Sequence, residues 1–190
     1  SKILHDNKRK TIYYDNALIK VYDIPIFYLP KLSHPDPSVN RRSGFLPPAF
    51  SDTKNLGAGI SIPYFWAIND DKNFTITNRV FVDEHPLVIA EYHQAFKNSK
   101  FLTDFGYTKG YKNTSEKKKA GSKSHIFTRF VKSFNDKNSE NTLSVSLQEV
   151  SDDKYLKLYK IKSNLVDFNT DTLESSLNYT HQDEDMFLGF

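Results

Sequence analysis

Alternation with a period of two is the feature that most limits what this chain can become. In "TLSVSLQE", Leu143, Val145 and Leu147 alternate with Ser144, Ser146 and Gln148. "TLESSLNYT" sets Leu173, Leu177 and Tyr179 against Glu174, Ser176, Asn178 and Thr180. "FTITNRVFV" sets Phe74, Ile76, Val80 and Val82 against Thr75, Thr77 and Arg79, with Phe81 breaking the polar side. "FLTDFGYTKGY" repeats the pattern with Phe101, Phe105, Tyr107 and Tyr111 opposite Asp104, Gly106, Thr108 and Gly110. Successive side chains of a strand point to opposite faces, so each run is a strand with one apolar and one polar face. Segments such as "NDDKN", "DEHP", "KNSK", "NDKNSEN" and "SDDK" separate the runs, and their Asn, Asp, Ser and Pro residues favour turns. No segment shows the apolar spacing of an amphipathic helix. The expected fold is all-β, a serial antiparallel up-and-down meander of roughly ten strands.

Two architectures satisfy this pattern. A soluble sandwich packs the apolar faces of two sheets together and leaves the polar faces in water. A transmembrane barrel turns the apolar face to lipid and the polar face to its lumen. Runs of about ten residues match a tilted membrane-spanning strand. The polar faces are rich in Ser, Thr and Asn, and Tyr and Phe collect near run ends, which also favours the barrel.

Composition removes other classes. Hydrophobic residues are 38% and aromatics 14% of the chain, too little for a helical membrane protein and too much for a disordered one. No apolar run approaches the ~20 residues of a spanning helix. The net charge is only +3, and the one dense basic run, "EKKKAGSK", reads as a solvated loop, so no nucleic-acid partner is expected. Absence of cysteine excludes disulfides, thiolate metal sites and cysteine nucleophiles.

Constellations that could carry chemistry are weak. His34 and Asp36 in "SHPDP" read as a proline-fixed loop, and Asp83, Glu84 and His85 as a hairpin turn. Glu91 and His93 share a polar face by period two. Asp70 with Asp71, and Asp152 with Asp153, are adjacent turn residues whose side chains diverge. The sequons at Asn73, Asn113 and Asn178 are chance matches in an Asn-rich chain. With no nucleophile elbow and no phosphate-cradling glycine loop, no catalytic residue, metal site or cofactor is expected.

One stretch is unusual. "SHPDPSVNRRSGFLPP" lies between "IPIFYLP" and "GAGISIPYFW", two strand-like runs that both carry proline, which has no N–H for a ladder. Pro25, Phe27, Tyr28, Pro30, Arg41, Arg42, Ser43, Gly44, Phe45, Leu46, Pro48, Pro63, Tyr64 and Trp66 follow the pattern P-[VI]-F-Y-x-P, R-R-S-G-F-L-x-P, P-Y-[FY]-W. In this, the segment from Ala17 to Trp66 resembles the LPS-assembly protein LptD family, also called organic solvent tolerance proteins. Beyond Asp70 only the strand-and-turn style is similar.

The resemblance implies a bacterial outer-membrane location and a fragment of a longer chain. Residues 1–23 would end a periplasmic jelly-roll-like domain, and residues 24–190 would form the first strands of a large, incomplete barrel. The signal peptide and the cysteines that link the two family domains would lie elsewhere, and the terminal Phe190 would be a chance end. The implied function is delivery of lipopolysaccharide to the outer leaflet through a lateral opening. Pro30 in the first barrel strand and Pro48 in the second are the expected gate weakeners, with Pro25 and Pro47 as further candidates. Arg41 and Arg42 would meet lipid phosphates or loop carboxylates such as Asp36. Implied partners are lipopolysaccharide, the plug lipoprotein LptE and the periplasmic bridge protein LptA. A small porin- or adhesin-like barrel and a soluble carbohydrate-binding sandwich are the alternatives. An isolated fragment of this kind is expected to aggregate without detergent.

Overall fold

The computed structural model describes all residues except Ser1, Arg9, Tyr22, Asp23, 37–40, Lys117, Lys118 and Lys137, and the side chains of Ile19, Val21, Ile24, Ile26, Phe27, Leu29, Leu32, His34, Pro35 and Asn135 also lie outside the described residues. The chain is all-β and divides into two compact units, Ser1–Phe45 and Leu46–Phe190.

In the first unit, β1 (Lys2–Asp6), β2 (Thr11–Val21) and β3 (Ile24–Pro35) form an antiparallel sheet in that order. Because β3 runs to Pro35, His34 stands in a strand, where a loop was expected. The short strand β4 (Gly44–Phe45) closes this unit.

The second unit is one antiparallel meander. Its strands are β5 (Ala49–Thr53), β6 (Gly57–Asn69), β7 (Lys72–Phe81), β8 (Leu87–Ala95), β9 (Ser99–Thr108), β10 (Lys123–Asn135), β11 (Ser139–Val150), β12 (Ser176–Asp183) and β13 (Phe187–Gly189). Each pairs with the next. Leu173 falls short of β12, whose pairing with β11 begins at Ser146↔Ser176.

The register settles the two faces. Tyr64 stands opposite Ile76, Ile76 opposite Ala90, Ala90 opposite Phe105 and Phe105 opposite Ile126. Phe130, Val145 and Leu177 continue this apolar face. It is not buried by protein: Trp66, Phe105, Leu147 and Leu177 are all exposed. The opposite face is made of cross-strand rows. One runs Ser61, Arg79, Leu87, Thr108, Lys123. The next runs Thr77, Ile89, Gly106, His125, Val150, and the one after it Thr75, Glu91, Asp104, Phe127, Gln148.

Connections differ at the two ends of the sheet. At one end they are short, at 70–71, 96–98, 136–138 and 184–186. At the other end the connections 82–86, 109–122 and 151–175 are longer. The last of these contains α1 (Tyr155–Tyr159), a single turn ended by Lys160 in the left-handed region at φ 48°. A segment this short has no helical periodicity to read, and tertiary packing holds it.

That segment supplies the interior of the unit. Tyr155, Leu156, Tyr159, Ile161 and Val166 are buried with Phe81, Leu87, Ile89, Phe127, Leu56 and Tyr111. The core therefore lies on the polar face of the sheet, at its long-loop end. Phe127→Ala empties a fully buried ring position and is expected to cost about 3–5 kcal/mol. Leu177→Ala, on the exposed face, should change stability by no more than about 0.5 kcal/mol. Urea unfolding in detergent micelles, followed by the fluorescence of Trp66, checks both.

Candidate functional site

The segment 151–168 is fastened to the sheet by polar contacts as well as rings. Lys123, at the start of β10, and Asp152, just after β11, form an ion pair at 3.1 Å with both side chains buried. Lys123 belongs to the basic run read as a solvated loop, yet it is only 5% exposed and also lies over the Tyr111 ring. Arg79 donates from Nη1 to the Tyr159 carbonyl at 2.7 Å and stacks on Phe81. Glu84, expected in a simple turn, is buried and accepts the Lys112 N–H at 2.7 Å.

Beneath α1, His125 lies between Asp104 Oδ1 (3.2 Å from Nε2) and the Tyr155 hydroxyl (3.1 Å from Nδ1), stacked on Phe127 at 4.7 Å. A Cβ on Gly106 would sit 2.2 Å from this imidazole, so glycine is required for the close approach. Tyr159 packs edge-on against Phe81 at 5.8 Å, stacks on Tyr111 at 5.5 Å, and its hydroxyl donates to the Gly110 carbonyl at 3.4 Å.

Burial pushes the Tyr159 phenol up to about 12, and burial pushes Tyr155 and Tyr111 up as well. All three act as neutral hydroxyls at physiological pH. Burial alone would raise Asp152, but the Lys154 N–H and the Lys123 ammonium outweigh it and hold the carboxyl below its usual range. Among the described residues, no three His, Asp or Glu side chains are grouped to hold a metal ion. The chemistry of this cluster is attachment: it fixes a connection onto the sheet.

The residues singled out by motif lie elsewhere. Pro25 and Pro30 are in β3, and Pro30 falls where the β2–β3 ladder is interrupted, between Asp15↔Lys31 and Ala17↔Leu29. Opposite stands Asn16, at φ 55°, which accepts a hydrogen bond from the Tyr28 hydroxyl. Arg42 donates to the Thr11 hydroxyl and, at 3.5 Å, to the Lys10 carbonyl, while Asp36 pairs with His5. Arg41 is exposed and Ser43 half-buried.

Pro47 and Pro48 precede β5 at the edge of the meander. Next to them, the Leu46 N–H donates to the Pro63 carbonyl at 2.9 Å. Pro63 stands opposite Thr77, Tyr64 opposite Ile76 and Trp66 opposite Phe74. Thus Leu46, Pro47, Pro48, Pro63, Tyr64 and Trp66 gather on the β5–β6 edge. Phe45 is exposed.

Comparison with known proteins decides the family. Residues 12–187 match the family described as LptD protein. This chain belongs to the LptD family. It is 36% identical over 86 residues to the LPS-assembly protein LptD of Nitrosococcus oceani, covering 45% of this chain and 12% of that protein. It is 43% identical over 61 residues to the protein of the same name from Francisella tularensis subsp. novicida, covering 32% and 7%. With that of Shewanella oneidensis it shares 42% over 62 residues, covering 33% and 8%. The matched stretches therefore span a small part of these relatives' length.

In this LptD chain the fastened segment was not foreseen from sequence, although Phe81 and Ile89, apolar on a mostly polar face, were visible signals of it. Asp152 has a depressed pKa, so the stabilisation from its pair is complete at neutral pH and is lost as pH falls through the folded-state value. Asp152→Asn strands a buried ammonium and is expected to cost about 3–5 kcal/mol. The double variant Lys123→Met/Asp152→Leu should recover most of that loss. Urea midpoints at pH 7 for the three proteins test this, and an acid titration of the parent checks the sign.

Proposed function

We propose that this LptD segment is part of an outer-membrane barrel that assembles lipopolysaccharide into the outer leaflet. The observation that carries this reading is the second unit's sheet, with an exposed apolar face and an opposite polar face along the same strands. An apolar face left uncovered by protein suits contact with lipid, and a polar face suits an aqueous lumen. The relatives named as LPS-assembly proteins support the substrate. In outer-membrane barrels short turns face the periplasm and longer loops the outside, and this supports reading the 96–98 turn as periplasmic and the fastened 151–175 connection as external.

In this reading residues 1–23 end a periplasmic jelly-roll-like domain and residues 24–190 begin the barrel. The lipopolysaccharide leaves sideways through a seam weakened by Pro30 and Pro48, with Pro25 and Pro47 contributing. Pro25 and Pro30 each withhold an N–H from β3, worth about 0.5–1.5 kcal/mol net per hydrogen bond, and Pro47 and Pro48 withhold theirs just before pairing begins at Ala49. Arg41 and Arg42 fall in the sequence between these prolines, and their guanidinium groups suit lipid phosphates. The plug lipoprotein LptE would occupy the lumen, and the bridge protein LptA would deliver substrate to the periplasmic domain.

Restoring donors should tighten the seam. Pro30→Ala/Pro48→Ala in the full-length protein is expected to slow lipopolysaccharide arrival at the cell surface while the protein level stays constant. Pulse-labelling of surface lipopolysaccharide measures this, and delivery at the parental rate would sink the proline assignment.

A further inference from the structure

The fastened segment covers only the long-loop half of the polar face. Toward the short turns, one row runs Asn73, His93, Leu102, Arg129, Ser146, Ser176, and the next runs Ala95, Lys100, Val131, Ser144, Asn178. Asn164 and Leu165 reach the His93–Leu102 part of the first row, while Arg129, Ser146, Ser176 and the second row are exposed or half-buried. Arg129 and Lys100 are exposed, and their directly paired neighbours are Leu102, Ser146, Ala95 and Val131, none of them a carboxylate. The acids on this face are Glu91 and Asp104, one row from Arg129 toward the covered half with Asp104 buried against His125, Asp71 across from Ala95, and Glu140 two rows beyond Ser144 toward the rim; none is the direct partner of Arg129 or Lys100.

Lys100 also lines a cavity of about 420 Å³ at the short-turn rim, with Lys97, Phe96, Val131 and Ser133. Three cations therefore step from the rim into the middle of the polar face: Lys97, Lys100, then Arg129. Hydroxyl and amide side chains at Ser133, Ser144, Ser146 and Asn178 flank them. Cations without paired carboxylates suit phosphate, and Arg in particular binds it through two parallel donors. Hydroxyls and an amide suit sugar hydroxyls, while Phe96 and Val131 give the cavity an apolar wall.

We propose that Lys97, Lys100 and Arg129 form a binding track for a phosphate-bearing saccharide head group, entered from the short-turn rim. This assignment rests on the lipopolysaccharide reading above and names where on the lumen face the substrate's charged portion is held.

The test uses the full-length protein with a photoreactive phenylalanine analogue at Ser144, purified in detergent and mixed with lipopolysaccharide. Cross-linking is expected in the parent. It should fall about tenfold in Lys97→Gln/Lys100→Gln/Arg129→Gln, given the strength of charge-assisted hydrogen bonds. Lys132→Gln, which removes a charge stacked on Phe134 of the apolar face, should leave it unchanged. Dephosphorylated lipopolysaccharide should cross-link as poorly as the triple variant. Equal yields in the triple variant, or with the dephosphorylated lipid, overturn the track. Complete competition by millimolar inorganic phosphate reassigns it to free phosphate and overturns the head-group assignment. A second analogue at Ser61, beside the β5–β6 edge, separates the two levels. Capture there but not at Ser144 removes the track and leaves the transport reading standing. Capture at neither position removes both.

Discussion

The second unit depends on one constraint: its apolar face, at Trp66, Phe105, Leu147 and Leu177, is left exposed by the described residues. A sheet of this kind cannot make a core from its own alternation, because the residues that alternate correctly point away from the connection that packs on its other face. The interior is made on the other side instead, where Tyr155 and Tyr159 from a connection meet Phe81, Leu87, Ile89 and Phe127 from the strands. Placing aromatic rings on a polar face brings polar neighbours into the interior with them. Asp104, His125, Lys123 and Glu84 are consequently buried, and they are held by hydrogen bonds and an ion pair. Buried polar groups of this kind have to be matched by partners, and so the attachment is specific in position as well as apolar.

Legibility followed the same division. The exposed face was readable from sequence because one uniform rule, an apolar residue at most alternate positions, runs through β7, β9, β11 and β12 alike. The covered half of the other face was not, because its composition depends on which rows the connection reaches. Phe81 and Ile89 interrupt the polar side only in those rows. Lys123 looked like one of several loop lysines, and nothing in "EKKKAGSK" distinguishes the one whose partner is Asp152. Leu173 matched the strand alternation by spacing alone, yet it packs against the core outside the strand. The segment "YLKLYKI" has no usable period at all, since a single helical turn followed by irregular chain is specified by its docking surface.

The proline-rich region was legible for a different reason. Its meaning came from likeness to a family pattern, while local physics could say only that prolines disfavour ladders. The structure adds detail that neither source contained: Pro30 faces a left-handed Asn16 at an interrupted rung, and Pro47 and Pro48 are followed by a resumption of pairing at Ala49. Family likeness thus located the motif, and backbone geometry describes what the motif does to its sheets.

The unequal connections also set an order of assembly. The β8–β9 and β10–β11 hairpins join neighbours through turns of a few residues, so they close at low entropic cost and can form early. The bond from Arg79 to the Tyr159 carbonyl joins residues 80 positions apart, and its docking surface exists only once β7 through β10 are laid side by side. Attachment of the 151–168 segment is therefore a late event that reports on the strands before it. A chain with a misregistered strand in this stretch would present the wrong rows and leave its own connection undocked, a difference that a protease could detect.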